Sequence, residues 1–160
     1  MTTQPSISIR NSRTGDEAAL RALFHAAVHS LTAHHYNAEQ RAAWAPAEHD
    51  VVQWAQRIQG NQPFIAEAAG NVVAGFADLQ PNGYIDMFFV APAFAGQGVA
   101  HALMAHVHAQ AAQRGLRRLW AHVSLTAEPF FAAQGFGVEE RQAVERAGVV
   151  LHNARMGKAL

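Results

Sequence analysis

Between Met87 and Gln113 the chain carries no Asp, Glu, Lys or Arg. What that stretch can become constrains the rest of the fold. A transmembrane helix needs about 20 consecutive apolar residues, whereas Pro92, Gly96, Gly98, three His and three Gln interrupt this run. The segment reads instead as a buried strand, YIDMFFV at 84–90, then the loop AFAGQG, then a helix. In that helix Val99, Leu103, Val107 and Ala111 fall on one stripe, and Gly115 stands where a left-handed residue would close it. Leu119–Val123 follows as a short buried strand. A strand, a helix and a strand at this spacing predict a right-handed crossover between parallel strands.

The flanking sequence predicts an antiparallel remainder. Ser6–Asn11 alternates Ile7 and Ile9 with polar neighbours, and Thr14-Gly15-Asp16-Glu17 matches a capping box before a helix through Leu20, Leu23, Phe24 and Val28. Asn37 with Gln40 predicts the cap of a second helix, which Pro46 stops. Val51–Ile58 carries a third helical pattern ending near Gly60. Phe64–Ala69 and Val72–Leu79 flank the hairpin turn Gly70-Asn71, and Pro81-Asn82-Gly83 turns the chain into 84–90. Thr126–Gln134 reads as a short helix ended by Gly135. Two closing strands, 136–146 and 149–158, meet at Ala147-Gly148.

Composition excludes several functions. Twelve basic and twelve acidic residues cancel, which removes the positive field expected of a nucleic-acid or anionic-membrane binder. With no cysteine there is no disulfide, thiolate metal site or thiol nucleophile, and this suits a reducing cytoplasm, the expected location. The start MTTQPSISIR has no signal-peptide core. One domain over residues 1–160 is expected from the length. Ten histidines include the i, i+4 pair His25 and His29, but no acidic third ligand stands nearby, so no metal is expected.

The loop at 95–100, AGQGVA, joins a buried strand to a helix N-terminus, where free N–H groups and the helix dipole favour an anion such as phosphate. A Walker A loop would need Lys-Ser/Thr after Gly98, where Val99 and Ala100 stand. A Rossmann fingerprint would need a small residue at His101 and an acidic one near Leu116–Arg118. An ordinary glycine-rich turn is the plain alternative. The third phosphate reading is the pyrophosphate loop of the GNAT superfamily of N-acetyltransferases, Arg/Gln-x-x-Gly-x-Gly/Ala, whose second half Gly98-Val99-Ala100 resembles. Ala95 stands at its first position, with Gln97 two residues on.

The element order along nearly the whole chain resembles that superfamily. EPFFAAQGF at 128–136 is similar to its Phe-Tyr-x-x-x-Gly-Phe segment. HHYNAEQRAAWAP, EPFFAAQGF and ERAGVVLHNARMGKAL further resemble a bacterial branch described as YafP-like. The resemblance implies an α/β (α+β) fold. It has a mixed, mostly antiparallel twisted sheet of about seven strands, helices on both faces and a splay between the fourth and fifth strands. It implies acetyl-CoA as co-substrate, a small-molecule or peptide amine as acceptor, and direct transfer in a ternary complex. Backbone groups of Phe88, Phe89 and Val90 would meet pantetheine, and the loop Ala95, Gly96, Gln97, Gly98, Val99 and Ala100 would hold the pyrophosphate. Homodimers are common in the superfamily, and nothing in these residues decides the matter.

Candidate chemistry follows from residue type. Alternation along 84–90 predicts Tyr84, Asp86, Phe88 and Val90 on one face and Ile85, Met87 and Phe89 on the other. Asp86, a carboxylate in an apolar strand, is expected to act as base or ammonium anchor, with a structural pairing to an arginine as the alternative. Phe131 stands where the superfamily often has an acid tyrosine, and is expected to pack against the co-substrate. Ser124 and Tyr36 are then the candidate acids. Tyr36, Trp44 and Trp54 suggest an aromatic acceptor pocket, His34, His35 and His152 are alternative bases, and one of Arg114, Arg117 and Arg118 could meet a terminal phosphate. The departures at Ala95 and Phe131 leave a non-catalytic acyl-CoA sensor as the rival function.

Overall fold

The computed structural model describes residues 6–160, so residues 1–5 of the leader expectation lie outside the described residues. The first half of the chain contains β1 (Ser8–Asn11), α1 (Glu17–Leu31), α2 (Ala38–Trp44), α3 (Val51–Asn61), β2 (Phe64–Ala68) and β3 (Val72–Ala77). Next come β4 (Tyr84–Ile85), β5 (Phe88–Val90), a 3-10 turn (Pro92–Phe94) and α4 (Val99–Gln113). The chain ends with β6 (Arg118–Ser124), α5 (Glu128–Ala133), β7 (Gly137–Arg146) and β8 (Val149–Ala159).

Local chemistry sets most of these boundaries. Asn37 and Gln40 form the reciprocal capping box that opens α2, at 2.8 and 2.9 Å. Gly70 and Asn71 both take positive φ, as a two-residue hairpin requires. Past the end of α4, Leu116 N–H reaches the Ala111 carbonyl and Gly115 N–H reaches Ala112, a Schellman closure. The capping box expected at Thr14 does not form. Asp16 stands at the N-cap of α1, but two 2.9 Å hydrogen bonds from the Arg10 guanidinium and one from Arg13 N–H take its carboxylate. A bidentate ion pair outcompetes a neutral cap bond.

The strands form two four-stranded sheets, ordered β1-β2-β3-β5 and β4-β6-β8-β7. All pairings are antiparallel except β4 with β6, where Tyr84 faces Trp120 and Ile85 faces Ala121 in parallel. The fold is thus mixed and mostly antiparallel as expected, but the single strand at 84–90 is broken in two, giving eight strands among the described residues instead of about seven.

Asp78 causes the break. Its fully buried carboxylate accepts from Asp86 N–H at 2.8 Å and Met87 N–H at 3.1 Å, while Asp78 N–H donates to the Met87 carbonyl. A side chain thereby replaces the ladder for two residues and interrupts the strand. The expected alternation fails at that point: Ile85, Phe88 and Val90 pack into one core, and Met87 and Phe89 into the other.

Those two cores lie on opposite sides of the strands. One gathers the α4 stripe, Val99, Leu103, Met104, Val107 and Ala111, with Phe131 and Phe136. The other gathers Leu20, Phe24 and Val28 of α1 with Trp54 and Ile58 of α3. Helix α4 sits low on the sheet because Gly75 has no side chain. A Cβ there would lie 2.9 Å from the Phe89 carbonyl and 3.0–3.1 Å from Val99 and Leu103 methyls. That close approach fixes the start of α4 beside β5.

Candidate functional site

Two cavities meet where β4 gives way to β5. Beyond the break β5 pairs, among the described residues, only with β3, while β6 continues beside β8, so the chain parts from β6 after β4 has paired with it at Ile85 and Ala121. A slot of about 210 Å³ opens between them, lined by Phe88, Phe89 and Val90 on one side and Ala121–Ser124 on the other, and floored by Phe130 and Phe131. Met87 C=O and Ala91 N–H bond toward the β3 side. By alternation Phe88 and Val90 turn their backbone N–H and C=O groups into the slot, whereas Phe89 contributes its ring.

At one end of the slot stands the glycine loop. Gly96 and Gly98 take φ of +73° and +87°, which turns the chain so that Gly98 is the N-cap of α4 with no side-chain cap bond. The first N–H groups of α4 are therefore available to an acceptor. Ala100, in that first turn, lines the slot. Ala95 closes the 3-10 turn, and the Gln97 amide folds back onto the Ala93 carbonyl at 3.0 Å, so it does not extend as a substitute for a long side chain at position 95. His101 stacks edge-on to Phe130 and accepts from Gln134, next to the loop.

The larger cavity, about 720 Å³, lies between the helical insert and β6–β8. Tyr36, Trp44 and Trp54 all line it, as the aromatic insert predicted, together with Phe24 and Phe89. Trp44, Asp86, Phe89, His122 and Ser124 border both cavities, so this is where a molecule in one would touch a molecule in the other.

Asp86 is paired. Its Oδ2 accepts from Arg57 Nε and Nη2 at 3.2 and 3.0 Å and from Asn61 Nδ2 at 2.7 Å, while Oδ1 receives only the Tyr84 hydroxyl at 3.3 Å. The arginine pairing and the cavity position thus coexist, with Oδ1 the less occupied oxygen. The carboxyl raised by burial is Asp78, pushed up to about 6 by desolvation and only partly restrained by the backbone N–H bonds it accepts. Asn61 Nδ2 bridges the two carboxylates. Burial, then the Asp86 charge, pushes Tyr84 up to about 12.

His122 sits at the junction with Nδ1 2.8 Å from the Gln142 amide oxygen. An amide oxygen can only accept, so Nδ1 carries a proton, and in the neutral ring the lone pair is on Nε2. Ser124 Oγ accepts from Ala127 N–H at 3.1 Å, which leaves its own proton uncommitted. Tyr36 is more constrained: its buried hydroxyl donates to the His152 carbonyl at 2.5 Å and accepts from Leu125 N–H at 3.0 Å, and burial raises its pKa. The tyrosine ties α2's approach to the β6 and β8 ends. Asn153, across the ladder from Ser124, has a buried side-chain oxygen with no donor among the described residues.

Phe131 is buried against Phe88 and Phe136. His35 bonds Thr126, and His34 and His152 lie on the surface outside both cavities. Arg114 reaches the Leu79 carbonyl and Arg118 pairs with Glu139, away from the glycine loop. His25 and His29 stack at 4.3 Å, and His29 bonds the Ala45 carbonyl; among the described residues no three potential ligands gather for a metal. No described helix is long and apolar enough to cross a membrane.

Sequence reasoning missed His122, Arg57 and Asp78. Strand alternation places His122 on the Ser124 face, but its selection needs the β6-β8-β7 register that brings Gln142 alongside. Asp78 carried a signal, a carboxylate ending the apolar run FA at 76–77.

Comparison with known proteins agrees with this geometry. The acetyltransferase (GNAT) domain family matches residues 32–158. An uncharacterised N-acetyltransferase of Escherichia coli, YafP, is 32% identical over 151 residues, 94% of this chain and 95% of its own. A GCN5-related N-acetyltransferase structure from Rhodopseudomonas palustris superposes with a TM-score of 0.93 at 34% identity, covering 100% of this chain and 99% of that one. A PaiA N-acetyltransferase of Thermoplasma acidophilum in complex with coenzyme A shares the fold, with a TM-score of 0.74 at 17% identity over 97% of this chain and 99% of that one. A split sheet with a slot at its divergence, a glycine loop opening the following helix and a family match over most of the length lead to one assignment: the chain belongs to the GNAT family of acetyltransferases, in its YafP-like branch.

Proposed function

We propose that the chain, acting as a single catalytic domain, transfers acetyl from acetyl-CoA directly to the primary amine of a small molecule or peptide. The observation that carries this reading is the meeting of the slot and the larger cavity at Asp86, His122 and Ser124. The residues present fit the co-substrate. Phe88 and Val90 offer unpaired backbone groups to an amide-bearing arm, the slot walls are apolar, and the free N–H groups of Gly98–Ala100 suit a pyrophosphate. When bound, acetyl-CoA supplies an activated acetyl thioester. A PaiA and a YncA structure, described with coenzyme A and acetyl-CoA, are fold relatives that support the choice of ligand.

The side chains divide the remaining work. Asp86 Oδ1 draws the acceptor's ammonium to the junction, and His122 Nε2, free because Nδ1 is held by Gln142, takes the proton that the amine must lose. Ser124, whose hydroxyl proton is uncommitted, can donate toward the departing sulfur. Tyr36 is the weaker acid candidate, since its proton is already given to the His152 carbonyl. A thiol of ordinary pKa near about 8.5 also leaves adequately with water alone.

The test is a calorimetric titration with acetyl-CoA, with ATP and NADP as controls, followed by thiol release over a panel of amines. Saturable acetyl-CoA binding with thiol release is expected. Asp86→Asn should lower turnover by about tenfold or more with little change in acetyl-CoA affinity; unchanged turnover across the panel would remove Asp86 from the reaction. Phe131, buried where family members often carry tyrosine, favours the rival of an acyl-CoA sensor. Binding without thiol release for any amine would establish that rival.

A further inference from the structure

The acceptor cavity holds a buried cation that the proposed transfer does not use. Arg21 lies on the inward stripe of α1, one turn before Phe24, and is only 9% exposed. Its guanidinium carbon sits 5.1 Å from the Phe24 ring and 5.5 Å from the Trp54 ring, which holds its plane against an aromatic floor. One nitrogen, Nη2, donates to the Pro46 carbonyl. The other guanidinium N–H groups have no acceptor among the described residues, and the side chain lines the cavity. Glu17, one turn earlier on α1, bonds Gly15 N–H and Gln59 instead.

The charges around the cavity do not cancel. Arg57 and Asp86 pair with each other, and the Asp50 carboxylate caps α3 through Gln53 N–H at 3.0 Å. Among the described residues, Arg21 and Arg146 on the cavity wall pair with no carboxylate. A buried guanidinium without a counter-ion is costly, and burial lowers the Arg21 pKa accordingly. A ligand carboxylate would relieve that cost, because its two oxygens match the guanidinium fork.

We infer that the acceptor is an amine that also carries a carboxylate, the two set at opposite ends of an apolar or aromatic body. Its carboxylate would lie on Arg21, its body on Trp44 and Trp54, and its amine at Asp86 and His122. This inference rests on the proposed transfer and narrows its acceptor. Phe24 links the two ends: Arg21 stacks on one side of it, and Phe89, which borders the slot, lies 4.9 Å away between ring centres. A polycation is disfavoured by the same residues.

Matched pairs test it. 4-(Aminomethyl)benzoate is compared with 4-methylbenzylamine, and 6-aminohexanoate with hexylamine, by thiol release at saturating acetyl-CoA. Independently, the N-acetyl derivatives of 4-(aminomethyl)benzoate and 4-methylbenzylamine are titrated while tryptophan fluorescence is followed. The carboxylate-bearing member is expected to be favoured by at least about tenfold in both readouts, since a charge-assisted bond is at stake. The preference should shrink with salt and fall in Arg21→Gln. Equal binding and turnover within each pair would overturn the inference and leave acetyl transfer standing. Carboxylate-selective quenching without turnover of any amine would instead overturn the proposed transfer while keeping the anion site. Should Arg21→Gln fail to fold, the wild-type ratio and its salt dependence decide the matter alone.

Discussion

Replacing Asp78 with asparagine should flatten one component of the pH dependence of stability. The carboxyl is fully buried, and its pKa rises from 3.8 to about 6 on folding, chiefly through desolvation. A raised acid binds its proton more tightly in the native state, so its contribution to stability is fully present below the unfolded value and is lost as pH rises through the folded value. The rise corresponds to about 3 kcal/mol. About 2 kcal/mol of that falls between about pH 4.5 and 7.5, the remainder lying at lower pH. Asparagine cannot ionise there, and it offers one oxygen where Asp86 N–H and Met87 N–H use two. It should therefore cost about 1–3 kcal/mol for an orphaned donor, whatever the pH. Urea unfolding, followed by tryptophan fluorescence across this range, should show wild type the more stable at acid pH and the gap narrowing by about 2 kcal/mol toward neutrality. Asp16 and Glu139, held low by arginine partners, slope the other way in both proteins and cancel in the comparison. A gap that stays constant, or widens with pH, would refute a buried carboxyl that is protonated below neutrality.

Two further outcomes are expected. Gly98→Val forces a β-branched residue to φ near +87° at the opening of α4, so acetyl-CoA affinity should fall at least about tenfold by calorimetry; unchanged affinity would reject the loop as the pyrophosphate site. Tyr36→Phe removes a hydroxyl that serves the His152 carbonyl and Leu125 N–H together, and urea denaturation should register a loss of about 1–3 kcal/mol. An undiminished midpoint would mean that water replaces the hydroxyl at both groups.

The sequence made the periodic elements legible and left the side-chain-to-backbone ones obscure. Helix α4 could be read from its stripe and closing glycine because both are local. The break in the fourth strand could not, since it depends on Asp78 reaching backbone groups eight and nine residues away, and no period of two announces that. The aromatic lining by Tyr36, Trp44 and Trp54 was legible from clustering in the insert. Arg21 stood in plain view as a cation on an apolar helical stripe, but its lack of an anion became evident only with Trp54 of α3 and the Pro46 carbonyl packed against it. His122 likewise required Gln142, twenty residues later and two strands across.

The parting of β5 from β6 has a consequence for how the protein avoids its own kind. It leaves a strand in the middle of the molecule with one row of peptide groups bare, a template on which another polypeptide could polymerise. Such invasion needs room for side chains on both faces of the incoming strand. Phe130 and Phe131 wall the floor of the slot. An incoming peptide strand would set its side chains against those two rings, whereas a chain without side chains would not, so the aromatic floor that suits the donor also opposes aggregation.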